Sequence, residues 1–566
     1  MKTFCIQTLG CKVNQYEGEQ VATLLRSRGL TPATADEADL RIINTCSVTV
    51  QAASQSRQSV RQMVRRNSRE HPSLSSLTVS SLTPSPSQPR PAYARPRRAK
   101  VVVIGCWATS DKAEAAAMEG VDAVLTHQDD LAAELDRLLT LWQPPGPSQG
   151  RLRQAAPACA TPACANTAPT RPTNNDGWML KAGTAPDNRT TFNKPKSEEN
   201  VNEVLDQGSV STQLGATRLP LLGDHQTGRQ RAFLKVQDGC DAHCTYCIIP
   251  RLRPALWSKP AEQAIEEARR LVDAGHVEIV LTGIFLGAYG QPTALRRRQP
   301  EADALPLANL VESLCRNVSG LRRLRLSSLE PGDLSDELLA VLAAHPQVVP
   351  HFHMPLQSGS DLILRRMNRQ YRRDDFLRMI DRVNESFDRP ALTTDIIAGF
   401  PGETDDEFDR TLEVVERARF IHIHAFPYSP RPGTAAARWT DHFVRGPVVN
   451  QRIDRLRDRA QHFSLEYRDQ FLGQTVEVIT ERDRDCGAGF PFTVPPVPSP
   501  AEFDGAPAQR KPAVRAPAAP ARVLRTGRCE RYFAVHFEAA DVRAGDVAAV
   551  RISRVTPTRT FGEVVR

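Results

Sequence analysis

The sequence predicts an α/β protein built from three units: a doubly wound parallel sheet, a partial barrel of six strand-helix units, and a small β-barrel at the carboxyl end. Three observations support this prediction. Strand and helix patterns alternate over residues 4–141 and again over residues 231–425. After a long amphipathic helix at residues 447–470, short strand patterns take over. A chain of 566 residues has room for about three or four domains.

Stretches rich in proline, serine or alanine separate and interrupt these units. We place an N-terminal domain at 1–142, with a disordered insertion at about 66–98, and a disordered linker at 143–226. A central domain at 227–470 and a terminal domain at 471–566 follow, the latter with an insertion at about 485–520. The insertions and the linker lack the periodicity of a helix or strand, and their composition is typical of disorder.

Composition excludes several classes of protein. Twelve cysteines in 566 residues are too few for a disulfide scaffold. The amino terminus lacks the charged start and apolar core of a signal peptide, and no run of about 18 apolar residues predicts a membrane span. We therefore expect a cytoplasmic protein with reduced thiols and no membrane partner. The formal net charge of +8 permits a polyanionic partner without requiring one.

Three closely spaced cysteines form the central motif: Cys240, Cys244 and Cys247 are separated by three and two residues. Three thiolates leave the fourth iron of a cubane without a protein ligand, and such an iron can bind substrate. Zinc usually takes four ligands, and His243 is too close to the cysteines to complete the set easily. The spacing resembles the signature of the radical S-adenosylmethionine (SAM) enzymes. A zinc site and three structural cysteines are the alternatives.

A second set of three cysteines follows successive strands of the N-terminal sheet. Cys11, Cys46 and Cys106 each come one or two residues after a predicted strand. Because the carboxyl ends of parallel strands lie on one edge of the sheet, these thiols can converge despite their distance in sequence. They would form a second cluster site with one open iron. The alternative, cysteines that serve as small buried apolar side chains, explains one cysteine well and three equivalent ones poorly.

Polar loops follow the predicted strands of the central domain, and such loops are where barrels place their active sites. Four of their residues are candidates for hydrogen bonds to the nucleoside and methionine parts of SAM: Gly283, Ser328, Glu330 and Gln357. Ordinary turns and helix caps are the alternative for each.

The terminal domain is basic. From Arg522 to Arg566 there are nine arginines against five acidic residues. Tyr532, Phe533 and Phe537 lie among them, and arginines with aromatic residues on a small barrel suit looped or single-stranded RNA. The alternative is that these three rings form the core of the barrel.

Several motifs together resemble one family. The N-terminal domain carries TLGCKVNQYE at 8–17, NTCSVT at 44–49 and a Gly-Cys pair at 105–106, while the central domain carries CDAHCTYC at 240–247. With the basic terminal barrel, these motifs are similar to those of the radical SAM methylthiotransferases. These enzymes install a methylthio group on tRNA adenosine or on a ribosomal-protein aspartate. KVN at 12–14, LTGI at 281–284 and FPYS at 426–429 resemble the threonylcarbamoyladenosine branch more than the isopentenyladenosine branch. The three units would then be a methylthiotransferase domain, a radical SAM core and a TRAM-like RNA-binding barrel.

The resemblance implies a reaction and its partners. Cys240, Cys244 and Cys247 would be the catalytic set, holding a [4Fe-4S] cluster at which an electron cleaves SAM to a 5′-deoxyadenosyl radical. The radical would take hydrogen from C2 of N6-threonylcarbamoyladenosine at position 37 of tRNA. A second [4Fe-4S] cluster on Cys11, Cys46 and Cys106 would hold the incoming sulfur, and a second SAM would supply the methyl group. The implied partners are the tRNA anticodon arm, a flavodoxin or ferredoxin-like electron donor, and a sulfur donor.

Two alternatives stay open. One is the same chemistry on isopentenyladenosine tRNA or on a ribosomal-protein aspartate. The other is a catalytically silent iron-sulfur protein that binds RNA, suggested by a departure from the family pattern. After Cys247 the family has an Arg-Gly and a later Arg-Ser, whereas this chain reads PRLRPALWS at 250–258. Pro254 in place of glycine removes a backbone donor and fixes a dihedral angle.

Overall fold

The structure is a computed structural model that describes residues 1–66, 98–142, 219–225, 230–295, 305–481 and 523–565. The predicted linker and the two predicted insertions, at about 66–98 and 485–520, lie outside the described residues except at their ends. In the part of the chain that the structure describes, no helix combines the length and the apolar character needed to cross a membrane.

The N-terminal unit is a five-stranded sheet in the order β2-β1-β3-β4-β5, with every pair of neighbouring strands parallel. Its elements are β1 (Thr3–Thr8), α1 (Lys12–Ser27), β2 (Thr31–Pro32), β3 (Leu40–Thr45), α2 (Val50–Arg65), β4 (Lys100–Gly105), α3 (Cys106–Ser110), α4 (Lys112–Ala117), β5 (Ala123–Val124) and α5 (Leu131–Trp142). The strands β3 and β4 are buried almost throughout because helices cover both faces, which explains their continuous apolar runs. The strand order reverses between β1 and β3, where open α/β sheets bind ligands.

The central unit contains six parallel strands. Its elements are β6 (Arg231–Asp238), α6 (Ile249–Leu252), β7 (Trp257–Ser258), α7 (Ala261–Asp273), β8 (Glu278–Gly283), α8 (Pro306–Asn317), β9 (Arg323–Leu326), α9 (Asp336–Ala344), β10 (His351–His353), α10 (Asp361–Arg366), α11 (Arg373–Ser386), β11 (Ala391–Ala398), α12 (Asp405–Ala418), β12 (His422–Pro427) and α13 (Gly446–Asp469). The short β7 pairs antiparallel with β6 at the edge.

Two sheets share these strands and meet in the middle of the barrel. One has the order β7-β6-β8-β9 and the other β10-β11-β12. A parallel bridge between Leu324 and Val348 joins them, with Leu324 donating to the carbonyl of Gln347 at 2.7 Å. The six parallel strands therefore form the predicted partial barrel, which is open between β6 and β12.

The terminal unit is a closed five-stranded barrel in the order β13-β14-β15-β17-β16. Its strands are β13 (Thr475–Thr480), β14 (Val523–Cys529), β15 (Ala534–Ala539), β16 (Val547–Val555) and β17 (Thr560–Val564). Phe533 and Phe537 lie in its core, and Tyr532 stacks on His351 of the central barrel with ring centroids 4.6 Å apart. Phe533 and Phe537 are therefore core residues of the barrel, whereas Tyr532 is half-buried against the central unit.

Candidate active site

The three N-terminal cysteines lie at one edge of their sheet. Cys11 is the N-cap of α1 after β1, Cys46 follows β3, and Cys106 begins α3 directly after β4. Gly10 has φ +94°, and a Cβ added to it would lie 2.7 Å from Cβ of Cys46 and 2.9 Å from its Sγ. The turn after β1 therefore needs glycine so that the Cys11 and Cys46 loops can approach each other.

Asn14 joins the three cysteine loops. Its Nδ2 donates to the carbonyl of Leu9 at 3.0 Å and to that of Thr45 at 2.9 Å, the residues that precede the first two cysteine turns. The Cys106 thiol lies 3.8 Å from Asn14 Oδ1. Asn44 in turn donates to the Asn14 carbonyl at 2.8 Å. Asn14 is fully buried, so this one side chain fixes the relative positions of all three loops.

The thiols of this first triad are close enough to influence one another's charge. Burial, and to a smaller extent the neighbouring Cys11, raise the pKa of the Cys46 thiol to about 11. Burial also raises the pKa of Cys106 strongly, with Cys46 and Cys11 acting in the same direction. Such thiols stay protonated in the metal-free protein, and a bound metal centre must displace their protons.

The second triad lies in the loop between β6 and α6, at the carboxyl end of the first barrel strand. Backbone contacts with the end of α10 support this loop: Thr245 donates to the carbonyl of Met367 at 3.1 Å, and Asn368 Nδ2 donates to that of His243 at 3.1 Å. Burial raises the pKa of Cys240 and Cys247 to about 12. All six cysteines of the two triads are free thiols.

Arg369 is the main charged partner of the second triad. Its Nη1 lies 3.2 Å from Sγ of Cys244, and its Nη2 donates to Glu330, one of the four residues predicted to contact SAM. The side chains of Arg369 and Glu330 are 7% and 11% exposed. Arg369 therefore contacts both Cys244, a candidate cluster ligand, and Glu330, a candidate SAM contact.

The other predicted SAM contacts also lie at the carboxyl ends of barrel strands. Gly283 ends β8, and a Cβ there would lie 2.9 Å from Cβ of Gln237, so glycine permits the close packing of that side chain. Gln357 has φ +61° and exchanges backbone hydrogen bonds with Asp395 and Ile397. Ser328 follows β9 and is partly buried. The four residues surround the barrel end that carries the second triad.

The two triads meet through the segment after Cys247. Ile248 and Leu252 form an apolar cluster with Cys106 of the first triad. Arg253 then donates to Glu17 of α1 at 2.7 and 2.8 Å and to Asp238 at 2.8 and 2.9 Å.

Burial alone would raise the pKa of the Glu17 carboxyl, but Arg253 and Lys235 outweigh burial and hold it well below its usual range. The segment that departs from the family pattern is therefore the one that attaches the N-terminal sheet to the barrel.

A second connection reaches the Cys46 loop from the segment after β12. The backbone N–H of Val50 donates to Oγ of Ser429 at 2.9 Å, and the buried Arg431 interacts electrostatically with Cys46. Residues after β12 thus reach the first triad, just as residues after Cys247 do. Both triads face the junction between the sheet edge and the barrel end.

The spacing of the thiols distinguishes between two kinds of metal centre. Among the described residues, His353, Asp395 and His424 are the only three metal-ligating side chains whose ligand atoms all lie within 4.8 Å of one another. The sulfurs of neither triad meet that limit, whereas sulfurs around one zinc ion are about 3.8 Å apart. Both triads are therefore spread more widely than one zinc ion requires, and they suit a cluster of several irons better.

Four residues of this site were not predicted from the sequence: Asn14, Arg253, Arg369 and Arg431. Asn14 lies in the KVN motif at 12–14, only three residues after Cys11, and this closeness in sequence could have indicated its role. The three arginines act on cysteines or carboxylates far away in sequence, and no local pattern distinguishes them from surface arginines.

The terminal barrel presents arginines to solvent. Arg551, Arg554 and Arg559 are exposed on β16 and the turn after it. Exposed arginines such as these suit phosphate contacts.

Comparisons with known proteins agree with this arrangement. Residues 234–415 match the radical SAM superfamily, and residues 3–80 match the uncharacterized protein family UPF0004. The chain is 32% identical over 484 residues to the threonylcarbamoyladenosine tRNA methylthiotransferase MtaB of Bacillus subtilis (strain 168), covering 85% of each protein. It is 31% identical over 482 residues to the enzyme of the same name from Thermotoga maritima, covering 85% of this chain and 87% of that one.

A tRNA-2-methylthio-N(6)-dimethylallyladenosine synthase of Mycobacterium marinum is 40% identical, but over only 253 residues, which is 44% of this chain and 47% of that enzyme. A tRNA-2-methylthio-N(6)-dimethylallyladenosine synthase of Erythrobacter litoralis (strain HTCC2594) also spans 85% of this chain and 87% of that enzyme, but it is 27% identical. Over a similar length the two threonylcarbamoyladenosine enzymes are 32% and 31% identical to this chain. The chain therefore belongs to the threonylcarbamoyladenosine tRNA methylthiotransferase family of radical SAM enzymes.

Proposed function

We propose that this chain methylthiolates C2 of N6-threonylcarbamoyladenosine at position 37 of tRNA, with Cys240, Cys244 and Cys247 holding the cluster that binds SAM and Cys11, Cys46 and Cys106 holding a second cluster. The observation that supports this most strongly is the packing of Ile248, the residue after Cys247, against Cys106. A reaction that removes hydrogen from a carbon and then adds sulfur to it needs both centres beside one substrate position.

The residues around the thiols fit two [4Fe-4S] clusters. Three cysteines carrying one cluster leave it with net negative charge, and each triad has buried cations beside it. Arg369 lies against Cys244, while Arg253 and Arg431 lower the pKa of Cys106 and Cys46, respectively, against the effect of burial. The backbone N–H of Ala242 also donates to Sγ of Cys240 at 3.4 Å. These donors and charges stabilise thiolates bound to iron.

When bound and reduced, a cluster on Cys240, Cys244 and Cys247 would, together with SAM, supply the 5′-deoxyadenosyl radical that removes hydrogen from C2 of the adenine. The protein orients the reactants. Arg369 holds Glu330 at the barrel end, where with Gly283, Ser328 and Gln357 it is placed to bind SAM. The Arg253–Glu17 pair keeps the sheet edge against the barrel.

The remaining parts of the chain have supporting roles. We assign residues 1–142 to the methylthiotransferase domain, 227–470 to the radical SAM core and 471–566 to a TRAM-like barrel whose exposed arginines bind the phosphates of the anticodon arm. A flavodoxin or ferredoxin-like protein supplies the electron and a separate donor supplies sulfur. The site of action is the cytoplasm, where the tRNA substrate is found.

The direct test is mass spectrometry of tRNA nucleosides from cells that lack this protein and then regain it. We expect the methylthio form of threonylcarbamoyladenosine to disappear and to return with the wild-type chain. Cys244→Ala and Cys106→Ala should both fail to restore it, whereas Cys315→Ala, which removes a buried thiol outside both triads, should restore it. Restoration by Cys244→Ala contradicts the proposed role of the second triad, and methylthio isopentenyladenosine as the returning product identifies the other substrate branch.

A further inference from the structure

A polar group lies on the inner face of the barrel, on strands that carry none of the six cysteines. His353 is on β10, Asp395 on β11 and His424 on β12, where Asp395 and His424 are directly opposite each other in the parallel register. Nε2 of His353 is 3.2 Å from Oδ2 of Asp395, and its Nδ1 is 3.0 Å from the hydroxyl of Thr393. His424 is exposed and the other two are partly buried, so the group borders open space.

Lys12 approaches this group from the N-terminal sheet. It follows Cys11 directly, and its ammonium interacts electrostatically with Asp395, Arg325 and Tyr532. It also interacts with His424 and with the buried His351. Among the described residues, the Lys12 ammonium makes no hydrogen bond and no ion pair within 4.0 Å. Lys12, which is next to the candidate cluster ligand Cys11, therefore lies at the opening of the barrel without a partner among the described residues.

The surroundings contain more donors than acceptors. Arg325 is 2% exposed and donates to both oxygens of Glu278, yet its Nη1 is buried without an acceptor in the part of the chain that the structure describes. Nδ1 of His351 is also buried without a partner among the described residues, and it is a donor in the tautomer whose Nε2 accepts from the Thr393 hydroxyl. Buried donors without acceptors are costly, so the site is complementary to an acceptor supplied by a ligand.

The charge distribution favours an anion over a metal ion. Two histidines and a carboxylate within 4.8 Å of one another are a familiar ligand set for a divalent cation. However, Lys12 and Arg325 both act on this region, and two further positive charges next to a divalent ion are unfavourable. The same cations attract a carboxylate, which Lys12 can meet with its unpaired ammonium.

We propose that Lys12, His353, Asp395 and His424 recognise the N6 side chain of the substrate, with Lys12 pairing with its carboxylate. This inference rests on the proposed function and adds to it the means of substrate selection. The threonylcarbamoyl group carries a carboxylate, a hydroxyl and a carbamoyl N–H. Asp395 is placed to accept from the hydroxyl or the N–H, and the histidines can donate to oxygen. An isopentenyl group offers none of these, so binding it would leave the Lys12 ammonium unpaired.

The test compares the binding of two RNAs to three proteins without turnover. The RNAs are anticodon stem-loops that carry either threonylcarbamoyladenosine or its carboxamide analogue, which is neutral and nearly the same size. We expect wild-type holoenzyme with both clusters and SAM, but no reductant, to bind the carboxylate RNA about 10- to 100-fold more tightly, the usual range for a hydrogen bond between charged groups. Lys12→Gln should bind both RNAs with nearly equal affinity, and Lys12→Arg should recover part of the preference.

Controls separate this role from a structural one. Lys112→Gln, which changes a lysine that is 58% exposed on α4, should keep the wild-type preference. The iron content of Lys12→Gln should match that of the wild type, because the change leaves all six thiols in place. Loss of affinity for both RNAs together with loss of iron would show that Lys12 only supports the Cys11 turn, and would overturn the inference.

Three other outcomes also count against the inference. Equal wild-type affinity for the two RNAs overturns the inference but leaves the proposed function standing, provided that the wild type still methylthiolates the carboxylate RNA. If the wild type does not act on that RNA at all, the proposed function itself fails. One zinc or other non-cluster metal ion per chain, lost in His424→Ala, would show that the group is a metal site.

Discussion

The network around Arg253 tests how the N-terminal sheet is held against the barrel. The Arg253 side chain is 4% exposed and makes four short hydrogen bonds to Glu17 and Asp238. We predict that Arg253→Met lowers the free energy of unfolding by about 3 kcal/mol. Removal of one partner from a buried ion pair typically costs roughly 3–5 kcal/mol. We expect a cost at the lower end of this range because Lys235 also contacts the carboxylates of Glu17 and Asp238, at 2.7 and 2.6 Å.

The matched control is Arg270→Met on the surface of α7. Arg270 pairs with Glu266 one helical turn away, and the two side chains are 48% and 46% exposed. Such a pair contributes less than about 1 kcal/mol. By thermal unfolding, a loss of about 3 kcal/mol corresponds to a fall in Tm of roughly 6–12 °C for a cooperative unit of 150–250 residues. The control should shift Tm by less than about 4 °C.

The same variant should uncouple the two halves of the reaction. The loop of Cys240, Cys244 and Cys247 is also held by contacts with the end of α10, so 5′-deoxyadenosine should still form from SAM. The methylthio product should fall by at least about tenfold, because displacement of the sheet edge by even about 1 Å misplaces the second triad. If Arg253→Met and Arg270→Met unfold at the same temperature, or if Arg253→Met keeps full coupling, the reasoning is refuted.

Three further predictions concern single residues. Gly10→Ala should lower iron from about eight to about four per chain, because the new Cβ collides with Cys46, whereas Gly29→Ala, also at positive φ but with nothing within 4 Å, should keep its iron. Asn14→Ala should lose the same iron while its 5′-deoxyadenosine formation continues, since only the first triad depends on it. Burial raises the pKa of Tyr532, but Arg231 and Arg528 outweigh burial and lower it to about 7, so its contribution to stability grows as pH rises from about 7 towards 10. Tyr532→Phe should lack that gain in Tm, and the wild type should show one tyrosine 13Cζ resonance titrating near neutral pH.

The alternation of strands and helices could be predicted from the sequence, and so could the convergence of Cys11, Cys46 and Cys106. Parallel strands place their carboxyl ends on one edge, so the position of each cysteine relative to its strand was sufficient. The six-stranded barrel followed from the same argument. In contrast, β14 was missed because it begins directly after the alanine- and proline-rich stretch assigned to an insertion.

The contacts that complete the site depend on pairing across long sequence distances. Arg253 meets Glu17 across 236 residues and Arg369 meets Cys244 across 125. Arginine on a short helix or turn looks the same in sequence whether it is buried or exposed, since only the folded chain supplies the carboxylate or thiol opposite it. The role of Tyr532 was misjudged for the same reason: its partners, His351 and Arg325, belong to a different domain.

The most direct test of the central claim, that both triads act on one carbon atom, follows deuterium from C2 of the adenine. Anticodon stem-loop RNA with threonylcarbamoyladenosine deuterated at C2 is incubated with the reduced holoenzyme and SAM, and both products are weighed by mass spectrometry. We predict that one deuterium enters 5′-deoxyadenosine and that the RNA gains a methylthio group at the same carbon. With Cys106→Ala, 5′-deoxyadenosine should still form but the methylthio group should be missing. Wild-type 5′-deoxyadenosine without deuterium, or methylthio product from Cys106→Ala, would contradict the claim.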